Sequence, residues 1–182
     1  MKYDIQSGVI REALMVVSPN YDERPDVNDI SLIVIHGISL PQGDYGGPWI
    51  SDLFTNQLDV NAHSSFTDIE GLKVSSHFVI RRDGELFQFV PVIKRAWHAG
   101  VSSYKGRANC NDFSIGIELE GVDDKPYEVA QYDRLVELIH TLTDALPKLD
   151  DDAITGHADI APGRKTDPGA AFDWGLLRKK LA

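Results

Sequence analysis

The run SLIVIHG, residues 31–37, is where the architecture is decided. It is short, apolar and rich in β-branched residues, which reads as a buried strand. It ends in His36 and Gly37, so a buried scaffold presents an imidazole at its end. Outward from it, GDYGGPW (43–49) is a turn-rich loop, and Pro48 is placed to open a short helix through WISDLF. Residues 56–72 fit either short helix or loop. HFVIRR and ELFQFV, within 77–90, are strand-like runs joined at Asp83-Gly84, which predicts a hairpin. In FSIGIELEG (113–121), Ile115, Ile117 and Leu119 alternate with Gly116, Glu118 and Glu120. That pattern predicts a half-buried strand with its carboxylates on the other face.

Between Tyr127 and Leu146, Val129, Tyr132, Leu135, Ile139, Leu142 and Leu146 recur at three or four residues, the spacing of an amphipathic helix. AFDWGLLRKKL predicts a final helix with a basic last turn. This order of elements gives an α/β fold: a single domain over residues 1–182, with a central mixed β-sheet flanked by helices.

A chain of 182 residues can bury a core of its own. Its 42% hydrophobic and 25% charged content are those of a globular protein. A net charge of −10 argues against a nucleic-acid partner, which calls for a basic footprint. Much of the acid lies between Glu120 and Asp152 and reads as a solvated face. Cations gather elsewhere, as Arg81-Arg82, Lys94-Arg95, Lys105, Arg107 and Arg164-Lys165, and offer local partners to a small anionic substrate.

Cys110 is the single cysteine, so no disulfide forms within the chain, and its ordinary role is a small buried residue. Asp4, Arg11 and Glu12 stand where a signal peptide needs an apolar core. No run approaches the ~18 apolar residues of a membrane span. The expectation is a cytoplasmic protein without a membrane partner. A monomer is expected, because neither a coiled coil nor an exposed apolar stripe is visible.

ITGHADIAPGRKTDPG (154–169) is the stretch that needs chemistry to explain it. Its prolines and glycines bar one continuous helix or central strand. They do not explain His157, Asp167 and the pair Arg164-Lys165. Of the six histidines, His140 and His63 fit surface roles and His77 a structural one. His98, in RAWHAG, is balanced between lining a cleft and packing. His36, His157 and Asp167 make a sensible hydrolytic zinc set, three protein ligands with a fourth position open. Zinc so held polarises a substrate carbonyl and acidifies water. Spacing alone cannot show that the three meet, and His77 or His98 could replace a member. Pro168 restricts the residue before it and so helps fix the Asp167 carboxylate.

Several stretches together carry a resemblance. They are SPNYDERP (18–25), VIHGISLPQGDYGGPWI (34–50), SSHFVIRRDGELFQFVP (75–91), KRAWHAG (94–100), CNDFSIGIELEG (110–121) and TGHADIAPGRKTDPGAAFDW (155–174). In this order, over nearly the whole chain, the sequence resembles the N-acetylmuramoyl-L-alanine amidase type-2 family of zinc amidases. That family is related in fold to peptidoglycan recognition proteins and T7-type phage lysozymes. The resemblance is greatest to its branch acting on 1,6-anhydromuropeptides in the cytoplasm. It implies one Zn²⁺ held by His36, His157 and Asp167, with Glu118 and Lys165 in catalysis.

Glu118 would then handle protons for the attacking water, where a solvated carboxylate is the ordinary reading. Lys165, otherwise an exposed loop cation, would stabilise the oxyanion. Burial beside a dication would also ease loss of its proton. The implied reaction is hydrolysis of the amide between the lactyl group of N-acetylmuramic acid and L-alanine of the stem peptide. The implied substrate is an anhydromuropeptide from wall turnover, in peptidoglycan recycling. Trp97 could stack on the sugar or serve as a core aromatic, and Lys73 and Arg164 are candidates for peptide carboxylate contacts.

One residue departs from the branch, which reads His-Asn-Ile-Ser where this chain has His36-Gly37-Ile38-Ser39. The missing amide removes a substrate hydrogen bond of ~0.5–1.5 kcal/mol, leaving the metal set intact. Two alternatives remain. One is a wall-lytic amidase or endolysin acting on intact peptidoglycan. The other is a peptidoglycan-binding module without catalysis, which typically lacks a zinc ligand.

Overall fold

Residues 1–4, 6–150 and 152–182 are described by the computed structural model. Asp151 of the acidic stretch and Ile5 of the N-terminal run lie outside the described residues. The main sheet has strands β1 (Leu14–Met15), β2 (Leu32–Ile38), β3 (Phe78–Ile80), β4 (Leu86–Gln88), β5 (Ser114–Glu120) and β6 (Ile154–Gly156). Their spatial order is β6-β2-β5-β3-β4-β1. β2 pairs in parallel with both β5 and β6, β5 in parallel with β3, and β3 antiparallel with β4, so the sheet is mixed as expected. Helices α1 (Trp49–Phe54), α2 (Val129–Ala145), α3 (His157–Ile160) and α4 (Trp174–Leu181) complete the fold.

Side-chain alternation assigns the two faces of the sheet. Ile33 and Ile35 of β2 and Ile115, Ile117 and Leu119 of β5 join one buried cluster with Tyr132, Leu135, Leu138, Ile139 and Leu142 of α2. Leu32, Val34, His36, Gly116, Glu118 and Glu120 therefore face the other way. The register sets Glu118 directly beside His36. Gln131, fully buried at the start of α2, donates from Nε2 to the carbonyls of Ile80 and Glu120, which fastens the helix to the strand ends.

Three expectations are corrected here. β5 is buried along its whole length, not half-buried. Its carboxylates are not in solvent: Glu120 is 1% exposed and accepts from Arg81 Nη1 at 2.7 Å and Gly46 N at 2.7 Å. Most of the remaining acid behaves as expected, with Asp124, Glu128, Asp133, Glu137, Asp144, Asp150 and Asp152 exposed and Asp123 half-buried. The hairpin loop is also longer than a two-residue turn. Arg81 N donates to Glu85 O and Gly84 N to Arg81 O, with Gly84 at φ +86°. That is a three-residue loop closed by a left-handed glycine. Finally, Val129 is 61% exposed at the first turn of α2, and Leu138, which the periodicity omitted, is fully buried. Near a helix end the apolar stripe has no sheet left to cover it.

Candidate metal centre and active site

β2 and β6 run side by side and in parallel, and both end in chemistry. β2 delivers His36; β6 stops at Gly156 and gives way at once to His157, the first residue of α3. Residues 154–160 are thus regular structure, where an irregular loop was expected, and the loop begins only after Ile160. Asp159 Oδ2 accepts from Gly156 N and Thr155 Oγ1, both at 3.0 Å, which fixes this corner. The chain then returns so that Ala158 N donates to Asp167 O at 2.9 Å, placing Asp167 over His157. The Asp167–Pro168 bond is cis.

The three candidate ligands meet. His36 Nδ1 lies 2.9 Å from His157 Nδ1 and 3.2 Å from Asp167 Oδ2, and His157 Nδ1 lies 3.1 Å from the same oxygen. Among the described residues they are a group that could hold a metal ion, with His36 1% and His157 3% exposed. Tetrahedral zinc with bonds of ~2.0–2.2 Å separates its ligand atoms by roughly 3.3–3.5 Å, a few tenths more than here. Two imidazole nitrogens and a carboxylate oxygen aimed at one point can all give lone pairs to a cation placed between them. The donor set therefore fits a divalent metal of the zinc type.

Glu118 Oε1 is 3.9 Å from His36 Nδ1, beside the triad rather than in it. Burial pushes the Glu118 carboxyl well above the ordinary range, and the Asp167 charge adds to this. Burial also opposes ionisation of Asp167, but hydrogen bonds with His157 and His36 overcome it and hold that carboxyl well below the usual range. Two nearby carboxyls are thus driven apart, the pattern expected where one must accept a proton.

These groups line a cleft of about 190 Å³ together with Lys165, Trp97 and an apolar wall of Leu53, Phe54, Leu72 and Val74. A larger hollow of about 590 Å³, between Tyr45–Pro48 and Arg81–Phe87, holds none of the candidate residues. Lys165 is exposed at the cleft, where the sequence reading expected it buried. Trp97 is half-buried in the cleft wall, a position that leaves ring surface for a ligand.

Lys73 is exposed beside the cleft, lining an adjoining 110 Å³ hollow that shares Leu53 and Leu72 with it. Arg164, expected to meet a substrate carboxylate, is instead turned onto backbone. Its Nη2 donates to Ala99 O at 2.6 Å and Val101 O at 2.7 Å. His77 is structural, with Nδ1 accepting from Gly116 N at 3.0 Å. His98 is neither a metal ligand nor free: its Nδ1 lies 2.9 Å from His36 Nε2.

Tyr127 escaped the sequence reading of the site. Its hydroxyl donates to Pro168 O at 2.9 Å, and a Cβ built on Gly37 would stand 2.3 Å from the Tyr127 hydroxyl oxygen. The missing Asn is therefore also a matter of room. Gly37→Asn is expected to cost ~1–3 kcal/mol in stability, the usual range for overpacking, beyond any change in substrate affinity. Urea melts would show it, with partial recovery in Gly37→Asn/Tyr127→Phe. An unchanged melt for the single variant would mean that Tyr127 yields freely.

Buried imidazoles also make the metal-free protein acid-sensitive. Burial brings His36 down to about 4, against the opposing hydrogen bond of Asp167. Burial likewise places His77 and His98 well below the normal range. Between pH 6.5 and 4 the unfolded chain binds protons that the folded one refuses, so stability falls as pH falls. For His36 alone the loss from pH 6.5 to 5 is about 2 kcal/mol. Glu118, with its raised value, works in the opposite sense over this window. The urea midpoint of metal-free protein is expected to drop from pH 7 to pH 5; a flat or rising midpoint would refute this.

A buried donor cluster at strand ends that could hold a cation, flanked by a proton-hungry carboxylate and a lysine, has the make-up of a hydrolase centre. Residues 26–170 match the N-acetylmuramoyl-L-alanine amidase family (Amidase_2), and the chain belongs to it. The more particular likeness is to 1,6-anhydro-N-acetylmuramyl-L-alanine amidase AmpD of Salmonella typhimurium (strain SL1344), 56% identical over 175 residues, 96% of this chain and 93% of the relative. A crystal structure of an AmpD derivative superposes with a TM-score of 0.96 at 54% identity, covering 100% of both chains. AmpDh3 from Pseudomonas aeruginosa, solved with anhydromuramic pentapeptide, gives 0.62 at 27% identity over 86% of this chain and 61% of that one. The family and fold expected from the sequence motifs are both met.

Proposed function

We propose that this chain, as a cytoplasmic monomer with one Zn²⁺, hydrolyses the amide between the lactyl group of 1,6-anhydro-N-acetylmuramic acid and L-alanine, in peptidoglycan recycling. The observation that carries this reading is the convergence of His36, His157 and Asp167 with Glu118 and Lys165 at one cleft. Substrate class is supported by the extent of the likeness to AmpD and by the anhydromuramic pentapeptide held by AmpDh3. The free, buried Cys110 suits a reducing compartment. No helix of the described residues is long and apolar enough to cross a membrane.

Held by the three donors, Zn²⁺ would supply Lewis-acid polarisation of the carbonyl and acidify water. The chain's own residues account for the rest. Glu118 removes a proton from the water whose oxygen bonds to the lactyl carbonyl carbon. Its buried carboxylate, with Asp167 nearby, binds that proton strongly. Lys165 donates to the oxyanion formed at the former carbonyl oxygen. As the carbon–nitrogen bond breaks, Glu118 returns the proton to the departing L-alanine nitrogen. Trp97 and the apolar wall face the sugar, and Lys73 at the cleft's edge meets stem-peptide carboxylates.

The test is a digest of an anhydromuropeptide and an intact muropeptide-bearing glycan in one tube with zinc-loaded protein, read by mass spectrometry. Release of stem peptide chiefly from the anhydro compound is expected. Release chiefly from glycan would replace recycling with wall lysis. Binding without release would make the chain a recognition module.

A further inference from the structure

We propose that the segment Trp97–Val101 is the positioning element of the metal centre, with His98 orienting His36, the Ala99 carbonyl orienting His157, and Arg164 fastening the segment. The inference rests on His36 and His157 as metal ligands. Both direct Nδ1 toward the carboxylate of Asp167, so both turn Nε2 away from the centre. An imidazole that gives its Nδ1 lone pair to a cation carries its proton on Nε2, and the group meeting that proton sets the ring's orientation.

For His36 that group is His98 Nδ1, at 2.9 Å. His98 must then be bare at Nδ1 and protonated at Nε2, which lies 3.2 Å from Ser114 Oγ. The serine hydroxyl donates onward to Cys110 O at 2.5 Å, leaving its lone pairs for His98. A backbone carbonyl cannot donate, so the chain of hydrogen bonds has only one direction. His157 Nε2 points at Ala99 O, 3.3 Å away, one residue after His98.

Three devices hold the segment. Asn111 Oδ1 accepts from both His98 N at 3.2 Å and Ala99 N at 2.8 Å. Arg164 Nη2 donates to Ala99 O and Val101 O. Gly116 leaves the space that the His98 ring fills: a Cβ there would stand 2.5 Å from His98 Cγ. Arg164 is therefore a positioning residue, and its guanidinium acts on the metal centre through the carbonyl that it shares with His157.

Zinc affinity measured by chelator competition, without substrate, tests this. His98→Leu removes the acceptor and should weaken zinc binding by ~10–100-fold, the usual cost of losing a ligand's supporting partner. His98→Asn returns an acceptor oxygen near the Nδ1 position and should recover most of it. Because buried variants can misfold, exposed Arg164→Met gives an independent reading: zinc affinity should fall several-fold. A peptide-contact role for Arg164 would raise KM and leave zinc affinity alone.

Imidazole ¹⁵N NMR of zinc-loaded wild type should show His36 protonated at Nε2, with that proton exchanging faster in His98→Leu. Ligation of His36 through Nε2, or zinc affinities of folded His98→Leu and Arg164→Met within about twofold of wild type, would overturn the proposal. If His36→Ala binds zinc as wild type does, the metal-ligand reading itself has failed, a different outcome.

Discussion

Glu118→Gln is expected to lower kcat on an anhydromuropeptide by ~10²–10⁴-fold, the range lost with a general base, while one metal ion per chain stays bound. Glutamine keeps the size and hydrogen-bonding reach of the side chain but cannot accept the proton. Glu118 stands beside the ligand triad, 3.9 Å from His36 Nδ1, and makes no bond on which the imidazole depends. At 8% exposure it is also a costly charge to bury, so the variant should fold at least as stably as wild type in the metal-free state. Stopped-flow or discontinuous turnover assays alongside metal analysis separate the outcomes. Activity within threefold of wild type would remove Glu118 from the chemistry. Lost activity together with lost metal would make it a structural support instead.

Asp167→Asn should have the second large effect, emptying the metal centre. Asp167 is the only anion among the three donors, and its bonds to both imidazoles hold its carboxyl ionised against burial. The amide matches the carboxylate in shape, and the Ala158 N to Asp167 O bond, which places the residue, belongs to the backbone and survives. The variant loses the negative charge opposing a dication at a mostly buried site. The affinity loss should exceed the ~10–100-fold cost of removing a supporting partner. Metal content after gel filtration should fall well below one per chain, with activity returning only in excess zinc. Full occupancy in Asp167→Asn would mean that the two histidines bind the ion without it.

Both variants concern residues that the sequence singles out, though with unequal clarity. β2 is plain from LIVI, because a strand covered on both faces is apolar at every position. The same logic misleads for β5, where Gly116, Glu118 and Glu120 look like a wet face. Each instead meets a special buried need. Glu118 faces the cleft, Glu120 receives Arg81 and the Gly46 amide, and Gly116 gives way to His98. Alternation reports side-chain polarity and cannot distinguish water from a polar interior.

The candidate metal donors are nameable from residue type, but their meeting depends on parallel pairing of strands far apart in the chain, which no spacing encodes. The cationic pair Arg164-Lys165 is visible in the sequence, but a role for Lys165 in the chemistry comes only through the family resemblance. Tyr127 and the directional role of His98 are not legible. The first is a contact made across the fold, and the second depends on which ring nitrogen faces which neighbour.

The placement of β2 has a consequence for biosynthesis. Its two neighbours, β5 and β6, both come later in the chain, beginning at residues 114 and 154. At ~5–20 residues per second, a nascent chain holds this apolar strand without either partner for roughly 4–15 s. During that interval its amides and carbonyls are open to any passing extended segment, including a neighbouring nascent copy. Yield in the cell should therefore depend on how quickly the ribosome travels from Ile38 to Ser114, and synonymous slow codons between them should increase aggregation without changing the finished protein.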